Sequence, residues 1–106
     1  MSTESDESLV RRLVGDDPRA GAEVLEAAAT SGSVPVLVAA ALLSEDTRYL
    51  ARAAATAVSP RDRQLVALAD AQLTGQVDLL DALVRDHLAD HPDHLLASWI
   101  AGRTHR

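Results

Sequence analysis

Three histidines near the end of the chain are the residues whose type and spacing best suit metal chemistry. His87 and His91 are four residues apart, which places both imidazoles on one face of a helix, and His94 follows closely. Asp90 or Asp93 could add an oxygen ligand to such a site. A small metal-binding protein or enzyme that uses His87, His91 and His94 is therefore the alternative function for this chain.

The residues around these histidines nevertheless favour a structural role. A zinc-protease helix has glutamate directly after its first histidine, and this chain has Leu88 there. His91 is followed by a proline that ends the helix, so the direction of His94 is not set by the same helix. We predict that His87 packs in an apolar stripe and that His91 and His94 cap helix ends. The chain is then expected to have no metal site, no cofactor and no catalytic residue.

An acidic run occupies the same part of the chain. Paired carboxylates can act as general acid and base, but they need an environment that shifts the pKa of one of them. Here the aspartates alternate with apolar positions, as they do on the solvated face of a helix. We therefore expect a solvent-exposed face formed by Asp78, Asp81, Asp86, Asp90 and Asp93.

The charge balance narrows the classes of partner. The 106 residues include 16 acidic and 10 basic ones, the net charge is -6, and every basic residue is arginine. A duplex nucleic-acid binder concentrates positive charge on one face, so nucleic acid is not an expected partner. A DNA-binding helix-turn-helix is a further alternative, which is suggested only by the close spacing of short helices. The absence of lysine and cysteine excludes Schiff-base and thiol chemistry, disulfides and cysteine-ligated zinc.

The hydropathy of the chain argues against a membrane protein. No segment approaches the roughly 20 consecutive apolar residues that a membrane-spanning helix needs. Residues 1–6 are polar and acidic, the reverse of a secretory signal peptide, and we predict them to be disordered. We expect a cytoplasmic protein without a membrane partner. Abundant alanine, arginine and valine without lysine also indicate a GC-rich bacterial genome.

Local signals predict an all-α fold. Alanine and leucine dominate and phenylalanine is absent, which favours helix over strand. Asp17-Pro18 and Ser59-Pro60 each place an N-capping side chain before a proline at the first helical position. Four glycines fall at or near helix ends, where a residue with positive φ is favoured: Gly15, Gly32, Gly75 and Gly102. We predict about seven short antiparallel helices, over residues 6–14, 18–31, 35–43, 46–58, 60–74, 77–91 and 93–103.

Two of these helices have informative apolar patterns. Helix 60–74 is apolar on two sides, which predicts an inner helix that is covered on both of them. Helix 77–91 has apolar residues at intervals of three and four, which predicts a single buried stripe. That stripe consists of Leu80, Leu83, Val84, His87 and Leu88.

The last helix pair has the register of a tetratricopeptide repeat. If Pro92 closes a repeat of about 34 residues, its first position falls on Arg61 and Gly75 lies in the turn between the two helices. Leu80 then falls where a small or apolar residue is expected, and Val84 follows four residues later. Residues 60–103 therefore resemble the tetratricopeptide-repeat superfamily. Within it, residues 57–102 look most like the bacterial relatives of tetratricopeptide repeat protein 38.

This resemblance implies a fold of stacked antiparallel helix pairs, a fragment of a right-handed α-α superhelix. It implies a single domain over residues 7–103, with residues 60–103 as the clearest repeat plus a terminal helix. It carries over no catalytic residue. Gln64 and Ala71 stand where the superfamily has large aromatic side chains, so the repeat is degenerate.

In this superfamily the first helix of each pair supplies most of the inner, partner-binding face. By register, that face is expected to comprise Asp62, Leu65, Val66, Ala69, Gln72 and Leu73. Trp99 is expected to seal the end of the stack or to contact another chain. We predict a non-catalytic module that binds a protein or peptide, a second copy of the same chain included.

Overall fold

The structure is a computed structural model that describes residues 6–15, 17–91 and 94–104. These residues form seven α-helices and no β-strand, which confirms the all-α prediction. The prediction of disorder for residues 1–5 lies outside the described part, whereas Asp6 already belongs to the first helix. The helices are α1 (Asp6–Val14), α2 (Ala20–Ala28), α3 (Val34–Ser44), α4 (Thr47–Thr56), α5 (Pro60–Leu73), α6 (Val77–Asp90) and α7 (Leu95–Thr104).

The beginning of α2 differs from the prediction. Asp17 was expected to cap a helix that starts at Pro18, but α2 starts at Ala20. The Asp17 carboxylate instead accepts the N–H of Arg19 at 2.9 Å, which forms a turn ahead of the helix. Arg12 also donates to this carboxylate at 2.8 Å. Together the Arg19 N–H and the Arg12 guanidinium hold the pKa of Asp17 below its usual value.

The glycine prediction is correct at one helix end. Gly75 has a φ of 71°, whereas Gly15, Gly32 and Gly102 lie outside the left-handed region. Gly102 lies inside α7 rather than after it. At the end of α2 an arginine replaces the expected glycine cap. The Arg52 guanidinium of α4 donates to the carbonyl of Ala28 at 2.7 Å, which suits the negative end of a helix dipole.

The start of α5 agrees with the sequence. Ser59 is the N-cap, Pro60 is the first helical residue, and the Ser59 hydroxyl accepts the N–H of Asp62 at 3.1 Å. Proline suits this position because an N–H group at the first helical residue has no acceptor within the helix, and proline has no N–H.

The Ser59→Ala variant is expected to lose about 1 kcal/mol of unfolding free energy, because the Asp62 N–H loses its acceptor. Ser33→Ala is the matched control, since Ser33 is the N-cap of α3 but its side chain forms no capping hydrogen bond. Urea denaturation of both variants measures the difference. A loss for Ser33→Ala as large as that for Ser59→Ala would contradict the assigned cap.

The centre of the fold is α3. Its sequence is apolar on every side, so this helix is stable only where other helices cover all of its faces. Four neighbours supply this cover, because α3 contacts α1, α2, α4 and α5. Its buried residues are Val34, Val36, Leu37, Val38, Ala39, Ala40, Ala41 and Leu42.

The patterns of α5 and α6 are confirmed. Helix α5 contacts α3, α4, α6 and α7, and Leu65, Leu68, Ala69 and Ala71 are buried, as expected for an inner helix. On α6, Leu80 and His87 are buried. The other three residues of the predicted stripe are half-buried against the core: Leu83, Val84 and Leu88.

The first and last helices meet, since α1 contacts both α3 and α7. The Cα radius of gyration is 12.8 Å, close to the value of about 13 Å expected for a compact chain of this length. Trp99 and Tyr49 are half-buried against the core. No helix in the described residues combines the length and the apolar character that crossing a membrane requires.

Candidate functional site

Two of the residues predicted to bind a partner lie in the core. Leu65 and Ala69 are 0% exposed and form part of the core, so neither side chain offers surface to another molecule in this fold. The others are half-buried and keep some exposed surface: Asp62, Val66, Gln72, Leu73 and Trp99. Asp62 lies near the start of α5 and Leu73 at its end.

Gln72 and Leu73 line an open pocket at the end of α5. The pocket has a volume of about 140 Å³ and lies where the C-terminal ends of α3 and α5 come together. We call it the end pocket and define it by Leu42, Leu43, Glu45, Gln72 and Leu73. The surface that this pocket offers is mostly polar, with the carboxylate of Glu45 and the carboxamide of Gln72 among its side chains. Of the three leucines, Leu42 is 3% exposed, whereas Leu43 and Leu73 are half-buried.

The turn between α3 and α4 places Glu45 at this pocket. Glu45 has a φ of 56°, in the left-handed region, which ends α3 without a glycine. The Ser44 hydroxyl donates to the carbonyl of Ala40 at 2.7 Å and accepts the N–H of Asp46 at 3.2 Å. Asp46 then caps α4 by accepting the N–H of Arg48 at 2.9 Å. Each residue of the turn is thus fixed by a hydrogen bond or by backbone geometry.

The end pocket contains one carboxylate, that of Glu45. The C-terminal ends of α3 and α5 lie at the pocket, but α4 and α6 begin close to these ends, and the opposite partial charges of the helix ends offset each other. Asp46 is offset by Arg48 at 2.8 Å; the Arg48 guanidinium lowers the pKa of Asp46, and that carboxylate raises the pKa of Arg48. Glu45 belongs to none of the ion pairs found among the described residues, which join Arg12 and Arg48 to other carboxylates. Its charge is therefore available at the pocket.

A second polar cluster lies between α5, α6 and the start of α7. His87 on α6 is 1% exposed, and His94, directly before α7, is 5% exposed. His87 Nε2 and His94 Nδ1 are 2.5 Å apart, and His87 Nδ1 is 2.7 Å from Gln64 Oε1 on α5. We call His87 and His94 the histidine pair. Together with Gln64, it joins α5, α6 and the start of α7.

The Gln64 oxygen determines the protonation pattern of this cluster. A carbonyl oxygen only accepts, so His87 Nδ1 has the proton and donates it to Gln64. In the neutral ring His87 Nε2 is then an acceptor, and the Nδ1–H of His94 donates to it. Burial lowers the pKa of His87, and His91 and Arg61 lower it further, while Asp90 acts in the opposite direction. The structure thus favours the uncharged His87 imidazole.

A comparison of the chain with protein-family models, curated proteins and solved structures found no match in any of the three. The geometry of the end pocket and of the histidine pair is therefore the basis for assigning a function.

The alternative metal site lacks a complete ligand set in the described part of the chain. No group of three or more histidine, cysteine, aspartate or glutamate side chains there could hold a metal ion. Both ring nitrogens of His87 already contact Gln64 and His94, and the His91 ring lies 4.9 Å from that of His87. Asp93, one of the suggested oxygen ligands, lies outside the described residues.

The other predicted polar features occupy structural positions. Asp78, Asp86 and Asp90 are exposed and Asp81 is half-buried, as predicted for a solvated face. His91 is the C-cap of α6, where its N–H donates to the carbonyl of His87 at 2.8 Å. Sequence reasoning missed Glu45, Leu42 and Leu43. The available signal was an uninterrupted apolar run that ends in two acidic residues, which marks a helix end at the surface.

Proposed function

We propose that this chain is a non-catalytic interaction domain whose end pocket binds a lysine or arginine side chain of a partner protein or peptide. The main support is the Glu45 carboxylate at a concave and mostly polar site. This carboxylate forms none of the ion pairs found among the described residues. Such a site is complementary to the cationic group of a basic side chain.

The chemistry of basic side chains explains this choice. Lysine and arginine bury their methylene stems against apolar surface while the charged group stays at the rim. At the end pocket the cation would pair with Glu45, and the stem would lie along the half-buried Leu43 and Leu73. The net charge of -6 favours encounter with a basic partner and disfavours nucleic acid and acidic membrane surfaces.

The architecture we propose for this domain is a tetratricopeptide-like helix pair within a closed bundle. Support comes from α5 and α6, which lie in contact across a short turn at Gly75. Contact between α1 and α7 differs from an open array, in which each repeat contacts only its neighbours. We also propose a cytoplasmic location, with which a chain without cysteine is compatible.

A displayed library of random peptides tests this proposal. We expect enrichment of peptides with a lysine or arginine next to apolar residues. Isothermal titration of an enriched peptide should show binding about threefold to fivefold weaker to Glu45→Gln, because the lost ion pair at this exposed carboxylate contributes about 0.7–1 kcal/mol. The Gln side chain keeps the size of the pocket wall and changes only its charge.

Glu26→Gln is the matched control. Glu26 is exposed on α2, away from the residues that line the end pocket. We expect this variant to bind the peptide with unchanged affinity apart from a small effect of net charge. Enrichment of acidic peptides, or equal losses for Glu26→Gln and Glu45→Gln, would refute the assigned pocket.

A second copy of the chain is the other occupant to be distinguished. Exposed apolar side chains offer it contacts, since Val58 is 78%, Val77 52% and Leu79 45% exposed. Sedimentation equilibrium separates the two cases. A monomer that binds basic peptides supports the proposal, whereas a dimer that is abolished by Glu45→Gln and binds no peptide would replace it with self-association.

A further inference from the structure

The histidine pair connects α6 to the segment that begins α7. We propose that this hydrogen bond is a proton-sensitive contact that holds α7 against α5 and α6 at neutral pH and releases it when both imidazoles are protonated. The inference is independent of the proposed peptide binding, because it concerns a different part of the molecule. It follows from the distances, the burial and the donor pattern of the cluster.

With no extra proton, each of the two hydrogen bonds of the cluster joins one donor and one acceptor. His94 Nδ1–H donates to His87 Nε2, and His87 Nδ1–H donates to Gln64 Oε1. One extra proton is also accommodated. If His87 becomes cationic, its Nε2–H donates to His94 Nδ1, provided that His94 has its remaining proton on Nε2. The pair therefore titrates as one coupled unit.

A second extra proton is incompatible with this arrangement. Both facing nitrogens, His87 Nε2 and His94 Nδ1, would then be N–H donors separated by only 2.5 Å. The two rings would also be cations in a site where their exposed fractions are 1% and 5%. Two like charges at this distance repel each other strongly when they are removed from water. Separation of His94 from His87 relieves both problems.

The charged groups found around His87 mostly oppose a proton on it. At the end of α6, His91 disfavours a charge on His87, while Asp90 favours it. On α5, Arg61 also disfavours it, and Gln64 is neutral. The described side chains of α7, from Leu96 to Gly102, are all uncharged. Among the described residues, Asp90 is thus the carboxylate that favours a charged His87.

The direction of the pH effect follows from the lowered pKa of His87. The released form, with both rings in water, binds protons near the ordinary histidine value of about 6.5 and thus binds more of them than the docked form. The docked state is fully favoured above about pH 6.5 and weakens as the pH falls below it. Each additional proton bound by the released form raises the release constant about tenfold per pH unit.

Release of α7 would expose a specific apolar surface. Leu96, Ala97 and Ile100 are 1%, 0% and 0% exposed in the docked state. They belong to a helix that contacts α1, α5 and α6. Loss of this cover would uncover apolar parts of all three helices.

Trp99 fluorescence tests the proposal in the intact protein. Trp99 is the only tryptophan of the chain and is half-buried on α7. Acidification from about pH 7.5 to about pH 5 is expected to shift its emission to the red and to increase acrylamide quenching, while circular dichroism shows most helices retained. An unchanged Trp99 signal over this range would overturn the proposal.

Two variants identify the responsible histidines. His91→Gln keeps the histidine pair and is expected to keep the pH transition. The double variant His87→Gln/His94→Gln removes both titrating rings, and its Trp99 signal is expected to be independent of pH. A transition that disappears in His91→Gln and persists in the double variant would overturn the assignment.

If the double variant does not fold, nitrogen-15 chemical shifts of the imidazoles in the wild-type protein test the same proposal. At neutral pH we expect His87 as the Nδ1–H tautomer, with an unprotonated Nε2 that accepts the proton of His94. We also expect the α7 amide signals to change together with the protonation of the pair. An Nε2–H tautomer of His87 at neutral pH, or titration of the pair with unchanged α7 amides, would refute the contact.

Discussion

Replacement of Leu37 by alanine is expected to lower the free energy of unfolding by about 2–5 kcal/mol, the range found for large-to-small changes in packed cores. Leu37 is 1% exposed on α3, and this helix contacts α1, α2, α4 and α5. Because α3 is covered from several directions, no single neighbour can move to fill the space that the leucine leaves. Guanidinium denaturation followed by circular dichroism measures the loss.

Leu79→Ala is the matched control for this prediction. The same atoms are removed from α6, where the side chain is 45% exposed. We expect a change of less than about 1 kcal/mol, because little buried surface is lost. If the two variants lost equal stability, α3 would not be the centre of the fold.

The Gly75→Val substitution is expected to destabilise the protein by about 1–3 kcal/mol. Gly75 has a φ of 71°, and a branched side chain is strongly disfavoured in that region. No heavy atom lies within 4 Å of a Cβ placed there, so the cost comes from the backbone and not from a clash. The N–H of Gln76 donates to the carbonyl of Ala71 at 2.9 Å, a helix-terminating bond that requires this conformation.

Gly32→Val separates backbone strain from the general effect of losing a glycine. A Cβ at Gly32 also meets open space, but the residue lies outside the left-handed region. We expect its unfolding free energy to change by less than about 0.5 kcal/mol. Thermal denaturation of both variants gives the comparison. Equal destabilisation would mean that the Gly75 turn is not held by its left-handed conformation.

The local features of this fold were predictable from the sequence. The Ser59-Pro60 start of α5, the Gly75 turn and the apolar stripe of α6 depend on residues within one or two helical turns of each other. Their signals are therefore present in short windows of sequence. The limit of such reasoning is visible at Asp17, where the carboxylate binds a nearby N–H but forms a turn instead of the first turn of a helix.

The features that define the candidate sites were not predictable in the same way. The hydrogen bond between Gln64 and His87 joins residues 23 positions apart, and no periodicity indicates which polar side chains will meet. Gln64 was recognisable only as a departure from the large aromatic of the repeat pattern. The structure supplies a physical reason, since its carboxamide is the acceptor for a buried imidazole.

The end pocket was not predicted because the turn beside it lacks the usual sequence signal. Glycine is the common residue in the left-handed conformation, and here Glu45 adopts it. The resulting approach of α3 to α5 brings Leu42 and Leu43 next to Leu73. The register of the repeat did indicate Gln72 and Leu73, but it could not show that Leu65 and Ala69 are covered by the chain itself. Whether a helical residue faces a partner or the core depends on helices distant in sequence.

The central claim is that the end pocket binds the basic side chain of a peptide. Amide chemical-shift mapping of the labelled protein with a library-enriched basic peptide tests it most directly. We predict that the largest shifts occur at the pocket residues Leu42, Leu43, Glu45, Gln72 and Leu73. We also predict that the same peptide with its basic residue replaced by glutamine causes no shifts at equal concentration. Largest shifts at α1, α2 or α7, or equal shifts with the neutral peptide, would contradict the assignment of this pocket.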